Sequence, residues 1–180
     1  MTDEQLFRRF QDGDDSALGE LAGRYETALL GLACGLLSGR RDLACDAVQD
    51  AWLRVIRYRS SFRGDSSFRT WLYRVTVNAC RTLQQRRSRH NERHQAFAES
   101  GQIRSDSDFP PPSPDDPATL RAAVDRLGSA QRELILLCYH RDLTLAQVAD
   151  VLEIPLGTVK SRLNAALKDL RTRLNREVAT

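Results

Sequence analysis

Residues 143–170 read LTLAQVADVLEIPLGTVKSRLNAALKDL, and their punctuation decides the fold. Thr144 stands three residues ahead of Gln147, the signature of a capping box, so a helix begins there. It ends in the short turn Glu153-Ile-Pro-Leu156, whose proline no helix interior accepts. A second helix is predicted from about Gly157 to beyond Leu174, with Val159, Leu163, Ala166, Leu170 and Leu174 on its inner stripe. Two helices joined by such a turn, the second one basic, form a helix-turn-helix. Ala149 is small where the helices must approach, and Val148, Leu152, Ile154 and Val159 can fill the wedge between them. Lys160, Ser161, Asn164 and Lys168 then share one outward face. Lysine and asparagine donate to base edges or phosphates in the major groove, and serine bridges either. A plain helical hairpin has the same pattern, so DNA binding needs a second line of support.

Charge supplies it. The net charge of the 180 residues is only +3, but it is unevenly spread. Residues 52–90 hold ten arginines against one aspartate, and residues 156–176 hold six Lys or Arg against one aspartate. Acidic residues gather elsewhere, at Asp12, Asp14 and Asp15, at Asp42, Asp46 and Asp50, and between 106 and 116. One basic helix is usually a solvated face. Two separated basic blocks, each with further features, point to two contacts with a polyanion.

Working outward, helices near 118–127 and 130–139 complete a C-terminal domain over 117–178. Ahead of it, residues 91–116 are polar and end in Asp108-Phe-Pro-Pro-Pro-Ser-Pro-Asp-Asp-Pro117. Prolines in that density forbid a helix and favour extended backbone. They predict a flexible Pro-rich linker. Residues 1–90 form the other domain. Asp15-Ser16 can cap a helix carrying Leu18, Leu21, Ala22, Tyr25, Leu29, Leu32, Ala33 and Leu36 at helical spacing. A second helix is expected over 42–58, with Ala44, Val48, Ala51, Trp52 and Val55 inward and Asp46, Gln49, Asp50, Arg54 and Arg57 outward. A loop over 60–66 breaks at Gly64, and a third helix starts near Ser66 or Ser67. Its inner stripe is Phe68, Trp71, Leu72, Val75, Ala79 and Leu83, and its outer face is Arg69, Tyr73, Arg74, Asn78 and Arg81. With no period-two run for a strand, the expected class is all-α, two small helical domains on a linker.

Several functions are disfavoured. There is no Gly-rich phosphate loop, nucleophile motif or metal-ligand cluster, so neither an enzyme nor a cofactor is expected. His90 and His94 lie four apart, but no Cys or carboxylate pattern completes a site around them. Cys34, Cys45, Cys80 and Cys138 form no Cys-x-x-Cys pair and read as reduced core thiols. No apolar run approaches the roughly 18 residues of a membrane span. The acidic start, Met-Thr-Asp-Glu, does not resemble a signal peptide, so a cytoplasmic location is expected.

The stretch Asp46-Ala-Val-Gln-Asp-Ala-Trp52, with Phe62-Arg-Gly-Asp-Ser-Ser-Phe-Arg-Thr-Trp-Leu-Tyr-Arg-Val-Thr-Val-Asn78 and Ile154-Pro-Leu-Gly-Thr-Val-Lys-Ser-Arg-Leu163, resembles the extracytoplasmic-function sigma factors. The order and spacing agree across nearly the whole chain outside the linker. The resemblance implies a partner, RNA polymerase core, met through the clamp helices of its largest subunit and through its flap. The clamp-facing residues would be Asp46, Gln49, Asp50 and Arg54. It also implies that residues 62–67 and the following helix read the −10 region of promoter DNA. Capturing an unstacked base needs a pocket that offsets a few kcal/mol of unstacking. Asp65, Ser66 and Asn78 would supply polar edges, and Arg69, Arg74 and Arg81 would hold the strand. Phe62 is open between a stacking wall and core packing; Phe68 and Trp71 read as core. Arg86, Arg87 and Arg89 would meet phosphates nonspecifically.

The helix-turn-helix would read the −35 element through Thr158, Lys160, Ser161, Arg162, Asn164 and Lys168. Arg162 is open between a phosphate contact and an internal ion pair. The resemblance departs at Ala165 and Leu167, where family members often carry arginine; Lys168 is the nearest compensating cation. An anti-sigma protein acting between the two domains is a further implied partner. The alternative is a stand-alone helix-turn-helix regulator, which leaves Gln49, Asp50 and residues 62–78 unexplained.

Overall fold

The computed structural model describes residues 1–95, 117–139 and 143–178. The rest of the expected linker, 96–116, lies outside the described residues, as do the side chains of His90 and His94. Eight α-helices, and no strand, are found among the described residues.

Helix α1, Asp3–Gln11, was not anticipated. Thr2 caps it, its hydroxyl accepting from Gln5 N at 3.2 Å while Gln5 Oε1 accepts from Thr2 N at 2.9 Å. Leu6, Phe7 and Phe10 point inward and are buried. Helix α2, Asp15–Leu36, is capped by Asp14, one residue earlier than expected. The Ser16 hydroxyl and Arg9 hold the Asp14 carboxyl below the usual carboxylate range. Helix α3 spans Arg41–Arg57, and a short 3-10 turn at Arg59–Ser61 follows. Helix α4, Phe68–Gln95, starts where Ser67 Oγ accepts from Thr70 N at 3.2 Å. These four helices pack as one bundle around Phe7, Leu21, Leu29, Val55, Phe68 and Leu72, all fully buried.

The C-terminal part contains α5 (Pro117–Asp125), α6 (Ser129–Tyr139), α7 (Leu145–Leu152) and α8 (Leu156–Val178). A small second core, Ala123, Leu127, Ile135, Ala166 and Leu170, ties α5 and α6 to α8. The inner faces of α6 and α7 turn the other way and join the N-terminal core through Leu134, Leu137, Val148, Ala149 and Val151. α6 therefore lies on α2, and α7 on α4. Gly35 permits the first contact, because a Cβ there would stand 3.0 Å from both methyls of Leu136.

Two expectations fail at single positions. Tyr73, placed on the outer face of α4, is 2 % exposed. α4 is covered by α1, α2, α3 and α7, so it buries more than one stripe. Cys45 is exposed on α3 rather than a core thiol, whereas Cys80 is buried and its thiol is pushed up to about 12 by that burial.

Candidate nucleic-acid interface

The helix-turn-helix is built by local rules. Thr144 Oγ1 accepts from Gln147 N at 3.2 Å and Gln147 Oε1 accepts from Thr144 N at 2.8 Å, closing the capping box. Glu153 ends α7 in left-handed backbone, φ 57°, and Ile154 N donates to Ala149 O at 3.1 Å. The Pro155 carbonyl then accepts from Thr158 N at 2.8 Å and from Val159 N at 3.1 Å, starting α8. Val148 and Val159 are fully buried in the wedge. Thr144→Ala removes the cap and should cost about 1 kcal/mol. At this chain length that lowers Tm by about 2–4 °C, measurable by calorimetry.

Lys160, Ser161, Arg162, Asn164 and Lys168 are exposed on α8, and Thr158 is half-buried. Ser161 Oγ donates to the Thr158 carbonyl at 3.1 Å, which leaves its oxygen lone pairs free to accept. Ala165 is exposed and Leu167 half-buried, so neither adds a cation to this face. Beside α8, Leu120, Val124, Ile135, Leu136, Tyr139, Leu167 and Leu170 line an apolar groove of about 470 Å³. Sequence reading did not locate it. Tyr139 was placed on α6, but nothing local marks it as 69 % exposed.

A second surface lies on α3. Asp46 and Gln49 are exposed, and Asp50 and Arg54 are half-exposed. Arg54 grips Asp50, Nε donating at 2.9 Å to the oxygen that Nη2 meets at 2.8 Å. The same face carries two apolar residues that the sequence reading did not assign to it, Leu53 at 54 % and Ile56 at 45 % exposure. A signal was available, since both fall off the inward stripe at the i+4 and i+7 positions from Gln49.

The third surface is the loop after α3 and the start of α4. Gly64, at φ 82°, makes the turn. Asp65 is exposed and Ser66 half-buried. Phe62 packs on Phe7, Phe68 and Trp71 with ring centroids 5.2, 6.0 and 5.4 Å away, so its half-buried ring belongs to an aromatic cluster. Glu4 Oε1 accepts from Phe68 N at 3.1 Å, fastening α1 to the base of this loop.

Three cations expected on α4, Arg69, Arg74 and Arg81, are partnered within the chain. Arg69 lies against the Tyr25 hydroxyl, which also donates to Asp3. Arg74 Nη1 is 3.6 Å from Glu153. Arg81 forks onto Glu133, Nε at 2.9 Å and Nη2 at 2.6 Å, and also donates to Asn78 Oδ1 at 3.3 Å. Those charge-assisted bonds hold the Arg81 guanidinium above its ordinary pKa. Arg86, Arg87 and Arg89 are exposed. Arg162 borders a small cleft with Arg81 and Glu133.

Comparison with known proteins covers both parts of the chain. Family models for sigma-70 region 2 and sigma-70 region 4 match residues 21–90 and 123–172. The ECF RNA polymerase sigma-E factor of Haemophilus influenzae is 30% identical over 97% of this chain and 96% of its own. The sigma-E factor of Escherichia coli K12 is 31% identical over 91% and 89%. The RNA polymerase sigma-H factor of Pseudomonas aeruginosa is 29% identical over 89% and 88%. Among solved structures, the sigma factor RpoE, in complex with the anti-sigma factor NepR from Bartonella quintana, superposes with a TM-score of 0.69 at 25% identity, covering 88% of this chain and 96% of that one. CnrH, solved with the cytosolic domain of CnrY, shares the fold with a TM-score of 0.70, at 23% identity and 97% coverage of both chains.

Proposed function

This chain belongs to the extracytoplasmic-function sigma factors, and we propose from that premise which of its surfaces perform the family's task of directing RNA polymerase to promoters. Residues 1–90 form the polymerase-docking and −10-reading module, 117–178 the −35-reading module, and 91–116 the linker between them. Docking uses the α3 face of Asp46, Gln49, Asp50 and Arg54, with Leu53 and Ile56 as its apolar centre. An interface of this kind needs a desolvated anchor more than it needs charge, because exposed ion pairs contribute only about 0–1 kcal/mol each. The clamp helices of the largest subunit are the partner of this face. The flap is the partner of the apolar groove beside α8.

Reading the promoter is split in two. Lys160, Ser161, Asn164 and Lys168 enter the major groove at the −35 element, with Thr158 and Arg162 on flanking phosphates. At −10, Asp65, Ser66 and Asn78 offer hydrogen-bonding edges to an extruded base, and Arg69, Arg74 and Arg81 meet the strand. Phe62 supports the loop from below, through its cluster with Phe7 and Trp71, rather than stacking freely on the base. The chain contributes binding energy and no catalytic group. It makes strand separation less costly by providing a surface that prefers the open strand. An anti-sigma protein is its proposed regulatory partner, as for RpoE with NepR. No described helix is long and apolar enough to cross a membrane, and the proposed site of action is the cytoplasm.

The observation that carries this reading is the occurrence, in one chain, of an exposed α3 docking face and an exposed α8 cationic face on separate modules. The test is run-off transcription with purified core polymerase on genomic promoter fragments. Specific transcripts are expected only when the chain is added. Their yield should fall steeply with salt, each phosphate contact contributing about −0.9 to the log–log slope of promoter binding. Arg162→Ala, which removes a proposed phosphate contact, should lower that slope by about one unit. Tight, specific footprints by the free chain, with no binding to core, would instead favour a stand-alone regulator.

A further inference from the structure

We propose that α1 sets the shape of the base-reading loop, and that Glu4 and Gln11 are its positioning residues. The inference rests on the reading of Asp65 and Ser66 as edges for an extruded base. Residues 62–67 belong to no helix, and Arg63, Gly64 and Asp65 among them are exposed. Such a stretch keeps one shape when its ends are fixed from outside. α1 fixes both. Gln11 Nε2 donates to the Arg59 carbonyl at 2.7 Å and reaches the Phe62 carbonyl at 3.5 Å, where the chain enters the loop. Glu4 Oε1 accepts from Phe68 N at 3.1 Å, where the chain leaves it. Between these ties the Phe7 ring lies 5.2 Å from Phe62 and 4.8 Å from Phe68. Glu4, Phe7 and Gln11 follow one another at three and then four residues, so they share one face of a single helix.

The polar ties do what the aromatic cluster alone does not. Ring packing is tolerant of rotation, whereas a hydrogen bond fixes where a carbonyl or an N–H points. Phe68 N heads α4, where no preceding turn supplies a carbonyl. Ser67 Oγ serves Thr70 N in that turn, and Glu4 serves Phe68 N. Arg59 adds a looser contact, its guanidinium 5.8 Å from the centre of the Phe10 ring. The start of α1 is itself fastened to α2, because the Asp3 carboxyl accepts from Arg24 Nη1 at 2.7 Å and from the Tyr25 hydroxyl. α1 is therefore held in register while it holds the loop. Both positioning residues precede the stretch matched to sigma-70 region 2, residues 21–90. An extruded base needs its hydrogen-bonding edges in place before it arrives, since a pocket that orders itself on binding loses affinity by that ordering. The loop thus reads through Asp65 and Ser66 and takes its geometry from α1.

The test uses the holoenzyme, core polymerase with the full chain. The probe is the genomic promoter fragment that gives the strongest run-off transcript, with single-base substitutions through its −10 segment. The readout is the discrimination ratio, the loss of open-complex affinity caused by the most damaging substitution. Gln11→Glu and Gln11→Met keep the length of the side chain and remove the donor. Glu4→Ala removes the acceptor, while Glu4→Gln keeps an oxygen for Phe68 N and removes only the charge. Gln11→Glu, Gln11→Met and Glu4→Ala are expected to lower the ratio about tenfold, within the discrimination that a well-placed polar pair provides. Their affinity for core should match wild type, and Glu4→Gln should restore the ratio. A helix that merely stabilises the bundle would lower Tm and core affinity together and leave the ratio alone, and that result overturns the proposal. Equal losses in Glu4→Gln and Glu4→Ala, or a loss in Gln11→Glu without one in Gln11→Met, would trace the effect to charge at the ends of α1 and also overturn it. Asp65→Ala with Ser66→Ala separates the two levels. If that variant lowers the ratio and the α1 variants do not, the positioning role falls and the −10 reading stands. If it leaves the ratio unchanged, the −10 reading falls and takes the proposal with it.

Discussion

Leu53→Asp is expected to abolish most of the chain's affinity for core polymerase while leaving its fold intact. Leu53 is 54 % exposed on α3, so the substitution leaves no cavity and should shift stability by no more than about 0.5 kcal/mol. On the docking face it does the opposite of what a buried contact needs. It puts a carboxylate where the proposed docking needs an apolar side chain, on the face that carries Asp46 and Asp50. Anchors of this kind contribute about 2 kcal/mol or more, which corresponds to at least ~30-fold in Kd. Competition against wild type for a limiting amount of core, with circular dichroism as the control, measures both. An unchanged affinity would remove α3 from the interface.

The second large effect is on stability. Phe7 is fully buried and packs on Phe10, Phe62, Phe68 and Trp71, with centroids 4.8–5.8 Å away. Phe7→Ala removes the ring at the centre of that cluster and should cost about 3–5 kcal/mol. For 180 residues this lowers Tm by roughly 6–20 °C. The loop bearing Asp65 and Ser66 should loosen first, since Phe62 and the Glu4 bond to Phe68 hold it from beneath. Calorimetry gives the first number. Hydrogen exchange at residues 62–67 gives the second. A drop under 2 °C would mean that α1 contributes little to the bundle.

The sequence made the C-terminal half legible because its signals are local. The Thr144–Gln147 box, the proline of the turn and the apolar period of α8 each act within one or two turns of helix. The inner stripes of α2, α3 and α4 were readable for the same reason. α1 escaped because Leu6, Phe7 and Phe10 are three apolar residues in a short polar stretch, and their burial depends on α4, some sixty residues later. Tyr73 escaped because period alone does not tell how many neighbours surround a helix. The pairing of Arg81 with Glu133 joins residues 52 positions apart across two modules. Arg81 read as a strand contact because no local feature of the sequence announced a carboxylate waiting for it. Leu53 and Ile56 were visible as apolar residues off the stripe, and only their exposure makes them candidates for the centre of the proposed docking face.

The bent backbone at Glu153 has a genetic side. Every glutamate codon lies one base from a glycine codon. That single change would relax the end of α7 by about 1 kcal/mol and would also delete the carboxylate facing Arg74. A laboratory screen for heat tolerance would thus draw that nucleotide, while the same change takes a negative charge from the end of α7.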